Sequence, residues 1–297
     1  MIIRIHIGRV WARHFSSLAL LASLTATAPA AVLFNDTFSD GERLTQNLPD
    51  SVRWYTTGLS AGTTVSGGQV ISAPASGSSG LLGYLAAPQA IEVGWALSFS
   101  FNYSFSTVVN GDYAFTFGLF NSQGSLASSD NTDLNDGVFN TDRGYFGSGV
   151  LGPDPSGTGR MHSHERTNNA NRLLRAATDT ATYLGAAIQT NGTLVGTTYL
   201  GGLSLYRTGA DTMIVQLNIA GQTLTRTDTV SIVSSFDEFV IYGPAGAGTM
   251  TFDNIQLNYT QQLPEPGTAA LLLLSGLCVR LFRRKRPPSR HGPWPGR

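Results

Sequence analysis

The histidines of the central part of the chain lie together at His162-Ser163-His164-Glu165. Two histidines at positions i and i+2 share one face of a β-strand, where their imidazole nitrogens could bind a metal ion. Such a site needs a third ligand, and the sequence pattern supplies none. We therefore expect an exposed polar loop here, with a two-histidine metal site as the alternative.

A second stretch, Gly58-Leu59-Ser60-Ala61-Gly62, has the Gly-x-Ser-x-Gly spacing of a nucleophile elbow. Such an elbow holds its serine on a sharp turn between a strand and a helix. The residues that follow, 63–71, contain two adjacent glycines and several β-branched side chains, which do not open a helix. The spacing therefore indicates a Gly/Ser loop rather than a catalytic serine.

Four oxygen-bearing side chains lie close together in the sequence: Asp130, Asp133, Asn135 and Asp136. Because Ca²⁺ prefers oxygen ligands, their spacing can be compared with an EF-hand loop. If Gly137 takes the sixth position, the twelfth is Arg143 instead of a glutamate, and the template fails. We expect a solvated turn here, with an irregular Ca²⁺ loop as the alternative.

Glycoside cleavage needs two carboxyl groups that face each other across the sugar bond. Residues 32–260 contain four glutamates: Glu42, Glu92, Glu165 and Glu238. None belongs to a Glu-x-Asp-x-x-Glu motif, and the adjacent Asp237 and Glu238 would face opposite sides of a strand. We therefore predict that the protein is not an enzyme.

Sugar binding without catalysis requires less, namely an aromatic side chain to stack on and a few polar groups. Aromatic residues in the less regular stretches of the sequence are Trp54, Tyr55, Tyr145, Phe146 and Tyr183. Of these, Trp54, Tyr55 and Tyr145 are the preferred glycan contacts. The alternative for each is a place in the hydrophobic core.

The charge of the chain sums to zero but is unevenly distributed. Residues 32–260 carry nine arginines, no lysine and eighteen carboxylates, whereas both ends are basic. The central part is therefore acidic and has no basic stripe, which excludes nucleic acid as a partner, because phosphate binding needs clustered lysine and arginine. The single cysteine, Cys278, lies outside this part, which excludes disulfides and cysteine-based zinc sites within it.

Alternation of apolar and polar residues predicts an all-β fold. In Trp95–Phe105 nearly every odd position is aromatic and every even position is small or polar, as in a strand with one buried face. Asn110-Gly111 and the alternation at 115–119 predict a hairpin with this strand. A second hairpin is predicted through Ala220-Gly221. We predict one antiparallel β-sandwich, or jelly roll, over 31–260.

Residues 1–30 have the parts of a secretory signal peptide: a basic start, an apolar run and an Ala-x-Ala site. Cleavage is predicted after Ala30, with Ala28 as the other small residue of the site. The apolar run is too short to span a bilayer. A buried N-terminal helix is the alternative.

The other end places Pro264-Glu265-Pro266 before an apolar run at 268–279 and a basic cluster: Arg283, Arg284, Lys285 and Arg286. The prolines lack an N–H and continue neither a strand nor a helix. The apolar run predicts a short hydrophobic helix below the ~20 residues of a comfortable span. Together with the basic cluster, this run would halt export transiently. The alternative is a permanent tail anchor. Residues 287–297 form a basic, proline-rich tail.

This order of Pro-Glu-Pro, apolar helix and arginine-rich cluster, paired with a signal peptide, resembles the PEP-CTERM sorting signal of bacterial envelope proteins over 261–286. The resemblance implies delivery by the secretion machinery and processing by a membrane-embedded exosortase. It also implies a final place in the cell envelope or outside the cell, in bacteria that make exopolysaccharide.

Two stretches, FNDTFSDGERLTQNLPDSVRWY and MTFDNIQL, resemble laminin-G/concanavalin A-like jelly rolls. The resemblance implies that the first and last strands are neighbours. Phe252 and Ile255 would both point inward although they are three apart, which predicts a bulge at Asp253-Asn254. The resemblance further implies a structural Ca²⁺ held by Asp253 with Asp36 or Asp40. The alternative is that Asp253 bonds backbone groups at the bulge.

Together these features predict an exported envelope or matrix protein whose β-sandwich has a structural or adhesive role. A module that binds exopolysaccharide is the alternative. A glycoside hydrolase or polysaccharide lyase is the less favoured one.

Overall fold

The computed structural model describes residues 30–262 except for 59–61, 74–78, 108–114, 135, 151–158, 168–172, 175–180, 191 and 244–245. The predicted signal peptide, the sorting signal with its short helix, and the basic tail lie outside the described residues. So do the serine of the Gly-x-Ser-x-Gly stretch and the Asn110-Gly111 turn. No helix within the described ranges is long and apolar enough to cross a membrane.

Strands dominate the described ranges, which also contain a single 3₁₀ turn at Gly137–Phe139. In chain order the strands are β1 (Ala31–Asp36), β2 (Trp54–Gly58), β3 (Thr63–Ser66), β4 (Gln69–Ser72), β5 (Ser79–Ala90), β6 (Trp95–Phe105), β7 (Phe115–Asn121), β8 (Arg143–Gly149), β9 (Arg160–Arg166), β10 (Ala181–Tyr183), β11 (Ile188–Gln189), β12 (Tyr199–Gly209), β13 (Thr212–Ile219), β14 (Gln222–Asp228), β15 (Ser235–Gly243) and β16 (Met250–Gln261). Together they form two antiparallel sheets, which confirms the predicted β-sandwich.

The first sheet has the order β14-β13-β12-β6-β16-β4-β3. Strand β16 pairs with β6 along one side, and its other side is shared by β4 at Met250–Phe252 and by β1 at 255–259. The predicted pairing of the first and last strands is therefore confirmed. Strand β16, the last strand of the described residues, pairs with three strands, more than any other strand of this sheet.

The second sheet has the order β10-β9-β8-β7-β15-β5-β2. The short strands β10 and β11 both pair with β9, on the side opposite to β8. They form the outer edge of this sheet, just as β14 forms one edge of the first sheet.

The main core lies between the two sheets and is rich in aromatic side chains. In β6 the odd residues Leu97, Phe99 and Phe101 are buried, while the even residues Ser98 and Ser100 face outward. Burial of each large apolar side chain contributes roughly 1.5–3 kcal/mol. The apolar residues at every second position of this strand are thus the side chains that it contributes to the core.

The second sheet is also covered on its outer face. Phe120, Phe146 and Val240 on that face pack against Leu134 and Phe139 of the segment that joins β7 to β8. Residues of β7, β8 and β9 are therefore buried on both faces, and polar residues of these strands are buried with them.

The predicted hairpin of β6 and β7 is wrong. Strand β6 pairs with β12 and β16 of the first sheet, and β7 pairs with β8 and β15 of the second. The chain crosses between the sheets after Phe105, and a period-two pattern does not reveal which sheet a strand joins.

Two local predictions are confirmed. Strands β13 and β14 form a hairpin, whose turn residues Ala220 and Gly221 have φ values of 53° and 75°, as a type I′ turn requires. The pairing of β16 with β6 shifts register between Asp253 and Gln256, where Asn254 has a φ of 49°. This shift is the predicted bulge.

Candidate functional site

A groove of about 690 Å³ lies where the edges of the two sheets meet. It is lined by the ends of β8, β9 and β10 from the second sheet and by the end of β14 from the first. The residues that matter for its chemistry are Arg143, Glu165, Thr182, Tyr183, Arg226 and Asp228. We call it the edge groove.

Glu165 is one of two deeply buried carboxyl groups that line the edge groove. Its side of β9 faces the first sheet, and the residue is only 4% exposed. The Oε1 atom is buried without a hydrogen-bond partner. Burial, together with the charge of Asp228, raises the pKa of Glu165 to about 7, although Arg143 opposes both effects. Near neutral pH this carboxyl group therefore exists in both protonation states.

Asp228 is fixed in place by hydrogen bonds. Its Oδ2 accepts from the Tyr145 hydroxyl at 2.7 Å, and its Oδ1 accepts from the Val230 amide at 2.9 Å. The same hydroxyl oxygen accepts from the Val233 amide at 3.2 Å. Burial, with the neighbouring Asp228, raises the pKa of Tyr145, so this phenol stays a donor. Asp228 therefore forms a rigid wall of the edge groove.

The two arginines of the groove are held differently. Arg226 donates from Nη1 to the Thr225 carbonyl at 2.8 Å and from Nη2 to the Ala186 carbonyl, which ties β14 to the segment after β10. The Nε of Arg143, by contrast, is buried without a hydrogen-bond partner. Arg226 therefore links β14 to the segment after β10. The Nε of Arg143, in contrast, is an N–H donor without an acceptor.

Tyr183 borders the edge groove and also a second cavity of about 560 Å³, lined by Arg160, His162 and Ile188 among others. The residue is 42% exposed. Its ring centroid lies 4.7 Å from that of His164 and 5.4 Å from that of His162. Packed imidazoles therefore hold the phenol ring between two cavities.

The expectation of an exposed loop at His162-Ser163-His164-Glu165 is wrong, because this stretch is the buried centre of β9. His164 stacks on Phe146 at 4.5 Å, and its Nε2 lies 3.3 Å from the Ser148 hydroxyl. Burial, followed by the neighbouring His162, lowers the pKa of His164 to about 3, so the ring is neutral at ordinary pH. These histidines support the sheet and Tyr183.

The three carboxylates proposed for Ca²⁺ are not brought together. Asp36 is buried and accepts hydrogen bonds from the Phe38 amide at 2.9 Å, the Val52 amide at 3.2 Å and the Trp54 indole at 2.8 Å. Asp253 accepts from Asn254 at the bulge, and Asp40 accepts from the Glu42 amide. Among the residues that the structure describes, no three His, Cys, Asp or Glu side chains are grouped to hold a metal ion.

The aromatic residues proposed as glycan contacts differ in how far they are exposed. Trp54 and Tyr145 are both 0% exposed and belong to the core, so the structure corrects that assignment. Tyr55 is half-buried, with the Arg53 guanidinium 5.1 Å from its ring centroid. Tyr183, at the groove, is the one with a substantially exposed ring.

In the acidic turn at 130–136, Asp133 and Asp136 are exposed, whereas Asp130 is bonded within the protein. Asp130 forms an ion pair with Arg43 at 2.7 Å and accepts from the Thr56 amide. Asp136 caps the 3₁₀ turn by accepting from the Val138 amide. Asn135 lies outside the described residues.

A second cluster of charge lies under the covering segment of the second sheet. Asp142 and Glu238 are fully buried and interact electrostatically with one another, and none of their four carboxyl oxygens has a hydrogen-bond partner. Arg166 lies close to both and donates to the Phe139 carbonyl at 2.5 Å. None of these three residues lines the edge groove.

Sequence reasoning missed the pairing of Glu165 with Asp228. One signal was present, because the alternation in β14 places Arg226 and Asp228 on the same face as the buried Leu224. Charged residues on an inward face near the end of a strand indicate a functional or tightly bonded position. The sequence does not show that β9, which carries Glu165, lies across the groove from β14. The two carboxyl groups could therefore not be placed together.

No family model and no curated protein match the sequence. Among solved structures, the carbohydrate recognition domain of Emp46p in its potassium-bound form is 10% identical, with a TM-score of 0.48, over 71% of this chain and 89% of that chain. The VIP36 exoplasmic/lumenal domain in its Ca²⁺/Man-bound form is 12% identical, with a TM-score of 0.43, over 71% and 84%. An endo-1,3-β-glucanase from Streptomyces sioyaensis is 12% identical, with a TM-score of 0.43, over 80% and 100%. At these values the likeness carries no conclusion about ligand or activity.

Proposed function

We propose that this protein binds carbohydrate and that the edge groove holds the glycan. The observation that carries the proposal is the placement of Tyr183, a partly exposed aromatic ring between two cavities. Hydrogen-bonding side chains surround it on the groove side. This combination of an aromatic surface with a few convergent polar groups is what small-molecule sites use.

The chemistry of a sugar matches both parts of this site. One face of a pyranose ring presents C–H groups, which an aromatic ring can cover, and its rim carries hydroxyls that both donate and accept. Thr182, Thr227 and Thr229 offer hydroxyls along the groove, and Glu165 and Arg143 offer charged partners. A ligand of this kind would satisfy donors and acceptors together.

Binding without cleavage fits this arrangement better than hydrolysis. Both carboxylate oxygens of Asp228 already accept hydrogen bonds from within the protein, from Tyr145 and Val230. These contacts hold both Asp228 oxygens in place within the protein, whereas Glu165 retains a free oxygen. We therefore include no reaction in the proposal.

The direct test uses the full-length chain in mild detergent on a glycan array, followed by titration calorimetry. We expect binding to at least one neutral glycan and a loss of tenfold or more for Tyr183→Ala. A wild-type chain that binds no glycan at concentrations up to 1 mM, on the order of the weakest useful affinity, would contradict the proposal.

An adhesive or structural role is the second candidate, and the outer face of the first sheet favours it. Outward positions of β6 and β14 carry serine, asparagine and threonine, and cross-strand pairs bond at 2.6 Å (Ser104 with Thr251) and 3.0 Å (Ser98 with Ser204). An uncharged hydroxyl face suits adhesion to a hydrated polymer. Substitution of Tyr206, which lies on this face, distinguishes the adhesive role from glycan binding in the edge groove. Loss of binding in Tyr206→Ala but not in Tyr183→Ala would favour the adhesive face.

The two ends of the chain support a proposal about its location. Residues 1–30 would be removed as a signal peptide, and 261–286 would direct the protein to an exosortase and the cell envelope. Mass spectrometry of the protein recovered from cells tests both steps. We expect a chain that starts at Ala31 and lacks the basic cluster, whereas a chain intact from Met1 to Arg297 would contradict the proposal.

A further inference from the structure

Two polar atoms of the edge groove are buried and have no hydrogen-bond partner: Oε1 of Glu165 and Nε of Arg143. Both residues line the groove, and Glu165 is more than nine-tenths buried. A buried acceptor or donor left unpaired costs about 1–3 kcal/mol. A ligand that pairs with both atoms would recover this cost.

The sheet places the two side chains next to each other without joining them. Tyr145 of β8 lies directly opposite Glu165 of β9, and Arg143 is two residues before Tyr145 on the same face. Such diagonal neighbours lie roughly 7–8 Å apart at their Cα atoms. Arg143 acts on Glu165 electrostatically, yet no ion pair is formed between these two described residues. An unpaired acceptor and an unpaired donor therefore belong to neighbouring residues that both line the edge groove.

We propose that Glu165 and Arg143 select a neutral saccharide with a free vicinal diol. One hydroxyl of the diol donates to the Glu165 carboxyl group, and the adjacent hydroxyl accepts from the Arg143 guanidinium. This inference rests on the proposed function of the edge groove, and it adds the class of sugar that the groove takes.

The charges around the groove explain why the sugar is neutral. When Glu165 is ionised, it and Asp228 balance the charges of Arg143 and Arg226, so a ligand without charge leaves the balance intact. A uronate would add an anion beside two carboxyl groups, and an amino sugar would place a cation beside Arg143. The acidic central part of the chain repels acidic polysaccharides as a whole.

The experiment compares three probes on the full-length chain in mild detergent. These are mannan or dextran, the same polymer after periodate oxidation and borohydride reduction, and alginate. Periodate cleaves vicinal diols, and reduction then leaves a neutral polymer without them. We expect untreated mannan or dextran to bind, with a loss of tenfold or more after periodate treatment and no binding of alginate.

Variants assign the effect to the two residues. We expect Glu165→Ala and Arg143→Met each to weaken binding of the untreated polymer by tenfold or more. Glu165→Gln, which keeps hydrogen-bonding atoms, should weaken it by threefold or less. Glu92→Ala and Arg53→Met change exposed residues outside the groove and serve as matched controls. Near-UV circular dichroism checks the fold of each variant, and Arg143→Lys replaces Arg143→Met if the latter is unfolded.

Three results would overturn the inference. Equal binding of alginate would contradict the neutral class, and equal binding of periodate-treated polymer would contradict the diol. Binding that depends on Tyr183 but not on Glu165 or Arg143 would refute the selecting pair while leaving the proposed function in place. If the wild-type chain binds neither polymer and nothing on the glycan array, both proposals fail together.

Discussion

At the scale of single residues, the least ordinary feature is the buried pair of Asp142 and Glu238. Two carboxyl groups buried this close together are not both ionised, because two neighbouring anions are strongly disfavoured away from water. Burial raises the pKa of Asp142 to about 7 and raises that of Glu238 well above its usual range, with Arg166 opposing both shifts. Near neutral pH the cluster therefore holds one proton more than the unfolded chain.

This extra proton predicts the direction in which stability changes with pH. A carboxyl group whose pKa is raised by folding stabilises the folded state below its unfolded pKa, and this stabilisation is lost as pH rises through the folded pKa. We expect the free energy of unfolding to fall, on the order of 2 kcal/mol from this pair, between pH 5 and 8. Urea unfolding at several pH values measures it.

Asp142→Asn is the informative variant for this pair. Its amide can donate to Glu238 without a shared proton, so the fall in stability between pH 5 and 8 should shrink. His164, whose pKa is lowered to about 3, gives the opposite slope below its unfolded value of 6.5, but it is present in both proteins and cancels in the difference. An unchanged pH profile in the variant would show that the pair does not hold the extra proton.

Asp36 gives a second prediction at this scale. Its carboxylate accepts three hydrogen bonds from buried donors, one of them the indole of Trp54. Asp36→Ala leaves these donors unpaired and should cost on the order of 3 kcal/mol, whereas Asp36→Asn, which keeps an acceptor oxygen, should cost less. Thermal unfolding with and without Ca²⁺ is the measurement. A rise in wild-type Tm with Ca²⁺ that Asp36→Ala abolishes would restore the metal interpretation.

At the scale of elements, the sequence predicts a strand well when one face of that strand is exposed to solvent. Strand β6 alternates because its inner face lies in the core and its outer face meets solvent. The β13–β14 hairpin and the bulge in β16 follow from the same alternation together with turn chemistry. These features could be predicted because local sequence determines them.

The second sheet was harder to predict because a covering segment buries its outer face as well. Strand β9 has polar residues at every position from His162 to Arg166, yet all of them are buried. A polar stretch normally indicates exposure, and only tertiary contacts reverse that expectation here. For the same reason Glu165 could not be placed opposite Asp228 from sequence alone.

Close packing of strands within this sheet can be tested at Gly144 in β8. A Cβ atom at this position would lie 2.1 Å from the Leu119 carbonyl oxygen and 2.7 Å from the Phe120 Cα, both in β7. Since backbone atoms cannot move aside cheaply, Gly144→Ala should destabilise the fold by about 3 kcal/mol. Gly137→Ala, whose Cβ would meet only Asn140 at 3.6 Å, is the matched control. Equal stability of the two variants would refute this account.

At the scale of the whole molecule, the hydroxyl of Tyr145 joins the two sheets. It belongs to β8 of the second sheet, donates to Asp228 of the first, and accepts from the Val233 amide. Tyr145→Phe removes this bridge while keeping the ring, and it should cost roughly 1–2 kcal/mol. Tyr206→Phe, on the outer face of the first sheet, is the control and should have no measurable effect. Chemical denaturation measures the free energy of unfolding of both variants, and equal values would contradict this prediction.

The position of β16 has a consequence for how the protein forms. The strand that links β1, β4 and β6 is the last strand of the described residues. Until the polypeptide is complete to Gln261, these three strands lack the strand that joins them, and pairings this distant in sequence form slowly. The first sheet is therefore completed only after β16 has been synthesised, so β1, β4 and β6 stay unjoined in the nascent chain until then.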